Sequence, residues 1–314
     1  MITFIQTSDV SKYRPLIDRS SLSLKAYCEK FGHAYECFYG IKRGAQPWHA
    51  SLNRIPILKS YVESGYDGWI IYVDADAYIA DLSFDIGAYL AERNQYALIA
   101  APSGLTPPRW WDINAGVFAI NLGHAKGREL VDLWFEKFMA PPLDVLSAEQ
   151  VWGDVIDDQA ILHDSLNAIV GFEAALLRDE GAHPVFNWDS RFIRQVVRDA
   201  APMWLRIKRI EEAVNQSLAA AGLDTSALPR REHHGEREEA NEEFVEAVYQ
   251  VMFGRNPDPG GRVSSLAALR NGDRTYRDDL RSCMESPEFK DRLPVLLKRI
   301  LTDEERQALA AALA

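Results

Sequence analysis

The stretch that most constrains this chain is Trp69-Ile70-Ile71-Tyr72-Val73, followed at once by Asp74-Ala75-Asp76. A short apolar run without charge reads as a strand covered on both faces, and such a strand needs a layered α/β core around it. The acids fall at or just past its C-terminal end, where open α/β sheets bind ligands. In extended chain, side chains two positions apart share a face at about 6 to 7 Å. Asp74 and Asp76 can then serve one hydrated divalent cation while Ala75 points away. The competing reading is an Asp-rich turn that only ends a strand.

The flanking sequence supplies the other layers. Ile2-Thr3-Phe4-Ile5-Gln6 reads as a first strand, with Thr7-Ser8-Asp9 as the loop beyond it. Leu24, Tyr27, Cys28 and Phe31 recur at helical spacing, Pro15 fits the start of that helix and Gly32 its stop. His33 to Tyr39 reads as the next strand, which makes a βαβ unit. A second helix lies within Trp48 to Gly65, with Pro56 either starting its regular part or kinking it. Leu130, Trp134 and Phe138 mark a further helix that ends at Pro141-Pro142, and Ile161, Leu162 and Leu166 mark another. Adjacent acids, Asp157 and Asp158, open the latter, so either is a candidate N-cap. Arg191, Arg194 and Arg198 fall at i, i+3 and i+7, a cationic helix face for a diphosphate or an acidic acceptor, or else a solvated, ion-paired face.

Composition excludes several classes. At 314 residues, 47% hydrophobic and 26% charged, the chain has an ordinary globular composition, which excludes disorder throughout, and is long enough for a large domain and a smaller one. A net charge of −11 argues against a nucleic-acid binder and a polybasic membrane-surface protein, so any phosphate site has to be a local basic pocket. Cys28, Cys37 and Cys283 have neither metal-ligand spacing nor a disulfide framework, as expected in a reducing compartment. No long apolar segment reads as a transmembrane helix, and the expected location is the cytoplasm.

Asn53-Arg54-Ile55-Pro56-Ile57-Leu58, Gly65-Tyr66-Asp67 and the strand with Asp-Ala-Asp together resemble the donor-site core of metal-dependent nucleotide-sugar glycosyltransferases. The likeness is to the galactosyl- and mannosyl-transferase group that includes fungal α-galactosyltransferases. Tyr27-Cys28-Glu29-Lys30-Phe31-Gly32-His33 and Asn114-Ala115-Gly116-Val117-Phe118 match further patterns of that group, and Asp158-Gln159 matches its Asp-Gln pair. The resemblance implies a GT-A-like fold: one nucleotide-binding mixed sheet sandwiched by helices. It implies transfer of a sugar from a nucleotide-sugar donor, UDP-linked, to a carbohydrate or glycoconjugate acceptor with retention of configuration. Mn²⁺ or Mg²⁺ would sit on Asp76, with Asp74 on the metal or the ribose and His183 as third ligand; a loop histidine is the other reading of His183. Donor contacts would come from Thr7, Tyr13, Arg54, Asp74 and Arg191. Thr7 and Tyr13 also read as a polar turn with a packing tyrosine, and Arg54 as a solvated arginine. Asn114, Ala115, Gly116 and Gln159 would face sugar and acceptor, with Asp158 and Asp112 near the reacting carbon.

Two rivals remain at this level. An aspartate-nucleophile phosphohydrolase would use Asp-x-Asp with Gly153-Asp154 to Asp158, but it needs Thr or Val where Tyr78 stands. A non-catalytic nucleotide-sugar-binding scaffold would keep the same residues. The catalytic domain is expected over 1–222, a charged linker over 223–241 and a small all-α module over 242–314. Val245, Val248, Tyr249 and Met252 share a face there, Gly254 ends that helix and Pro257-Asp258-Pro259-Gly260 forms a turn without calcium-loop spacing. Tyr249 to Gly260 with Ser286-Pro287-Glu288-Phe289 resembles a bacterial helical domain of unknown function, which implies a glycan or protein partner for the module.

Overall fold

A computed structural model describes residues 2–186, 189–196, 203–223, 244–246, 248–250, 252–271 and 274–300. Contacts divide the chain into two compact units, Met1–Thr225 and Ser226–Ala314.

The first unit is built on one mixed sheet. Its strands are β1 (Ile2–Ser8), β2 (Ala34–Tyr39), β3 (Trp69–Val73), β5 (Leu98–Ala100), β6 (Val117–Asn121) and β7 (Leu176–Arg178), in the order β2-β1-β3-β6-β5-β7. β1 runs parallel to both β2 and β3, whereas β6 is antiparallel to β3 and β5. Every residue of β3 is buried, as its uncharged sequence requires. β1 extends further than its apolar run: Thr7 and Ser8, expected in a loop, pair with Phe38 and Tyr39. A second, two-stranded antiparallel sheet joins β4 (Ala77–Ile79) to β8 (Ile193–Gln195).

Helices cover both faces. α1 (Arg14–Phe31) has Pro15 in its first turn and ends at Gly32, whose φ of 69° is a left-handed cap that glycine adopts without strain. Tyr27 on α1 packs edge-on to Phe4 of β1, ring centroids 5.7 Å apart. On the other face, α2 (Arg54–Glu63), α4 (Ala125–Met139) and α6 (Asp158–Ala168) bring Leu58, Trp134 and Leu162 against Ile70, Tyr72, Phe118 and Ile120. Fully burying each such side chain is worth about 1.5–3 kcal/mol. A 3-10 turn, Pro47–Asn53, leads into α2, so Pro56 lies in the first turn, where its missing N–H costs nothing. Two shorter helices, α3 (Ile86–Ala91) and α5 (Leu143–Ser147), fill connections. α7 (Met203–Ala220) lies along α1 and presents Arg206, Ile210, Val214 and Leu218 as one buried i, i+4 stripe.

The second unit is helical, with Pro259–Asn271, Tyr276–Glu285 and Pro287–Ile300. Val245, Leu266 and Leu269 form one apolar cluster, and Val248, Met252 and Phe253 another with Phe289 against it. The Pro257 to Gly260 turn is a helix start: Asp258 accepts from the Gly261 amide at 2.8 Å. Apart from Leu223, the 223–241 segment read as a linker lies outside the described residues. No described helix is long and apolar enough to cross a membrane.

Candidate functional site

The centre forms where β3 stops. Asp74 and Asp76 are brought together by a turn rather than by a pleat, since the Ala77 amide donates to the Asp74 carbonyl at 3.0 Å. The Asp74 amide donates to the Gly116 carbonyl at 2.8 Å, so the turn is fixed to the start of β6. β8 then supplies a residue from 119 positions on: Gln195, opposite Ala77 in the register, donates through Nε2 to Asp74 Oδ2 at 3.2 Å and to Asp76 Oδ1 at 3.1 Å. Asp76 Oδ2 accepts from Arg206 Nη2 at 2.8 Å. Two carboxylates thus converge on one amide.

Behind them lies a fully engaged arginine. Arg54, buried at the start of α2, donates through Nε to the Ser51 carbonyl at 2.7 Å and through Nη2 to Asp74 Oδ1 at 2.8 Å. Its Nη1 bonds the Ala115 carbonyl and lies 3.3 Å from Asp158 Oδ2, and its plane sits 4.2 Å from the centroid of Tyr72. The Tyr72 hydroxyl donates to Asp74 Oδ1 at 3.0 Å. Asp157 is the N-cap of α6, accepting from the Ala160 amide at 2.7 Å, which leaves Asp158 free of capping and turned to Arg54. Burial pushes the carboxyls of Asp74 and Asp158 up to about 6, against the pull of Arg54 on both. Asp76 is also raised by burial, with Gln195 and Arg206 holding it back.

The floor of the centre is Asn114-Ala115-Gly116. Asn114 donates to Gln195 Oε1 at 3.1 Å and accepts from the Gly116 amide at 2.6 Å, while Gln159 Oε1 accepts from the Ala115 amide at 3.1 Å. A Cβ at Gly116 would lie 2.6 Å from Gln195 Nε2 and 2.7 Å from Asp74 Oδ2, so only glycine leaves the two aspartates and the amide room to meet.

Among the described residues no three of His, Cys, Asp and Glu come together as a metal site. The third group at the aspartate pair is an amide, and its oxygen and nitrogen exchange places by a half-turn about the last torsion. So turned, Gln195 gives up its bond from Asn114 Nδ2, and its Oε1 completes with Asp74 and Asp76 a set of oxygen donors suited to a hard divalent cation. The residues present therefore fit such an ion.

Several expected residues lie elsewhere or act otherwise. His183 is exposed on the loop between β7 and β8 and joins no cluster with Asp74 and Asp76. Asp112 binds the 103–105 loop, its Oδ1 taking the Ser103 hydroxyl and its Oδ2 the amides of Gly104 at 3.2 Å and Leu105 at 2.8 Å. Arg191 is exposed, 3.5 Å from Asp81 and stacked over Phe84. The helix read through Arg191 and Arg194 is absent because Ile193–Gln195 is a strand; Arg198 lies outside the described residues. Thr7 braces the 3-10 turn by donating to the Ala50 carbonyl at 3.0 Å. Tyr13 precedes α1, its amide donating to Asp9 Oδ1 at 2.7 Å. Asp154, needed by the phosphohydrolase reading, is on an exposed turn. Sequence reasoning missed Gln195 and Arg206; the sequence signals for them are a polar residue two positions after the apolar pair Phe192-Ile193 and a basic residue on the apolar stripe of α7.

Residues 231–293 match the family described as a domain of unknown function, DUF4214. This match begins within the segment read as a linker. Among solved structures, the chain is similar to a glycosyltransferase involved in glycosylation of the major capsid of PBCV-1, at 13% identity over 67% of this chain and 98% of that one, with a TM-score of 0.48. It is also similar to the galactosyltransferase LgtC in complex with donor and acceptor sugar analogues, at 14% identity over 74% and 99%, with a TM-score of 0.42. No curated protein matches it.

Proposed function

We propose that the chain is a glycosyltransferase that moves a sugar from a nucleotide-sugar donor, UDP-linked, to a carbohydrate acceptor, using Mn²⁺ or Mg²⁺ held by Asp74, Asp76 and Gln195. The observation that carries this reading is the meeting of two carboxylates on one amide in front of Gly116, at the C-terminal end of a central strand. When bound, the cation would offset the negative charge gathering on the departing diphosphate.

The chain's own residues account for the rest. Arg54 fixes Asp74 and Asp158 at a set separation and keeps both ionised at neutral pH despite their burial. Asp158 then presents a negative charge to the anomeric carbon, where positive charge develops as the bond to diphosphate breaks. Ala115 and Gly116 let the donor sugar lie against the backbone, and Asn114 and Gln159 orient its hydroxyls. We assign the product an α linkage with retention. The second unit acts as an adaptor for a glycan or protein partner.

Incubation with a panel of nucleotide sugars and Mn²⁺, reading release of nucleoside diphosphate, tests the proposal. Release from at least one donor, abolished by chelator, is expected. Release from none, or release indifferent to chelator, overturns it.

A further inference from the structure

The stripe by which α7 packs on α1 is apolar at Ile210, Val214 and Leu218 but begins with Arg206, which is 6% exposed. A buried cation on such a face needs a partner, and Arg206 reaches Asp76 Oδ2 at 2.8 Å, 130 residues away in sequence. Its engagement differs from that of Arg54. All three nitrogens of Arg54 are bonded and its plane is stacked on Tyr72. By contrast, Arg206 Nε is buried without a hydrogen-bond partner among the described residues. An unmet buried donor is unfavourable, so the arrangement around Arg206 is satisfied in part where that around Arg54 is complete. The oxygen that Arg206 occupies also matters. A cation taken up beside a turned Gln195 meets Asp76 Oδ1 first, and it gains the second oxygen of that carboxylate only by taking Oδ2 from Arg206.

We propose that Arg206 is the resident counter-ion of Asp76, displaced when a divalent cation binds, and that its freed guanidinium then hydrogen-bonds the donor diphosphate. This rests on the reading of the centre as a divalent-cation and diphosphate site. In the absence of metal, Arg206 neutralises a carboxylate that would otherwise stand buried and charged; metal binding reverses the exchange. The competition lowers affinity for the free cation. The diphosphate restores it by giving Nε and the Nη groups phosphate oxygens to bind, so cation and nucleotide bind cooperatively. Couplings of this kind are typically about 5- to 150-fold.

The test uses the full chain with Arg206→Met and Arg206→Lys. Binding of Mn²⁺ is followed by the loss of its free-ion paramagnetic resonance signal, with and without UDP, and each protein is melted with and without Mn²⁺. Without UDP, Arg206→Met is expected to bind Mn²⁺ at least about tenfold more tightly than wild type, with Arg206→Lys between them. UDP should tighten Mn²⁺ binding in wild type and much less in Arg206→Met. If Arg206→Met melts too early for titration, a larger Mn²⁺-induced rise in its melting temperature than in that of wild type gives the same reading. Equal or weaker Mn²⁺ binding by both variants overturns the inference and leaves Arg206 a positioning residue for Asp76. Failure of wild type and variants alike to bind Mn²⁺ overturns the cation reading of the centre itself.

Discussion

Replacing Asp158 with Asn separates a charge placed for chemistry from one placed for structure. Burial raises the Asp158 carboxyl from an ordinary 3.8 to about 6. Since the folded value lies above the unfolded one, the associated stability is fully present below about pH 4 and is lost as pH rises through about 6. At about 1.4 kcal/mol per unit, the ionised side chain weakens the folded state at pH 7.5 by roughly 3 kcal/mol at most, and by about 1–2 kcal/mol once relaxation around it is allowed for. Asp158→Asn removes that titration and spares the helix cap, which belongs to Asp157. Arg54 keeps Asp74 and two backbone carbonyls. Denaturant unfolding should therefore show the variant more stable than wild type by about 1–2 kcal/mol at pH 7.5 and by roughly half as much at pH 5. Turnover of the accepted nucleotide sugar should fall by about 10²-fold or more with donor affinity nearly unchanged. A pH-independent loss of more than about 1 kcal/mol with turnover intact would refute the reasoning and make Asp158 a structural anion.

Other perturbations address the remaining parts. Asp76→Asn should abolish turnover while leaving the circular dichroism spectrum unchanged; a wild-type rate would sink the mechanism. Gly116→Ala places a methyl carbon 2.6 Å from Gln195 Nε2 and 2.7 Å from Asp74 Oδ2. It should cost about 1–3 kcal/mol by overpacking and weaken Mn²⁺ binding, seen in melting curves and titration. A chain ended at Thr225 should stay folded and still release nucleoside diphosphate, since every residue of the centre precedes that point; an insoluble or inactive product would show that the second unit completes the first.

Much of the frame was legible because periodicity reports burial. Trp69 to Val73, the α1 face through Tyr27 and Cys28, and the Leu130, Trp134, Phe138 stripe all occur as their patterns require. The structure also brings Asp74, Asp76, Arg54, Asp158 and Asn114 to Gly116 into one place. Illegible parts come from long-range pairing. β8 has three residues, too few for alternation to show, and its Arg194 falls with Arg191 and Arg198 at helical spacing in the sequence. Gln195 gains meaning only through the pairing of β8 with β4. Whether an acid caps or serves a site depends on which backbone amides approach it: Asp157 and Asp112 were taken by amides, Asp158 was not.

Under the proposed function, a chain with a net charge of −11 has to hold a diphosphate, and the charge of the centre bears on how it would do so. Asp74, Asp76 and Asp158 face Arg54 and Arg206, so with all three carboxylates ionised the protein groups set three negative charges against two positive, a net of one negative charge. In that state it repels a free diphosphate, and the overall acidity of the chain adds to the repulsion. A divalent cation at the aspartate pair turns one net negative charge into one net positive, in a partly desolvated place where such a reversal is worth far more than in water. Under the proposed function the cation therefore precedes or accompanies the nucleotide, and the local basic pocket that composition required is created by binding rather than built into the sequence. The same arithmetic accounts for the buried position of both arginines. A permanently cationic pocket on the surface would bind any phosphate, whereas under the proposal Arg54 stays paired and Arg206 is released to the diphosphate only in exchange for a metal ion.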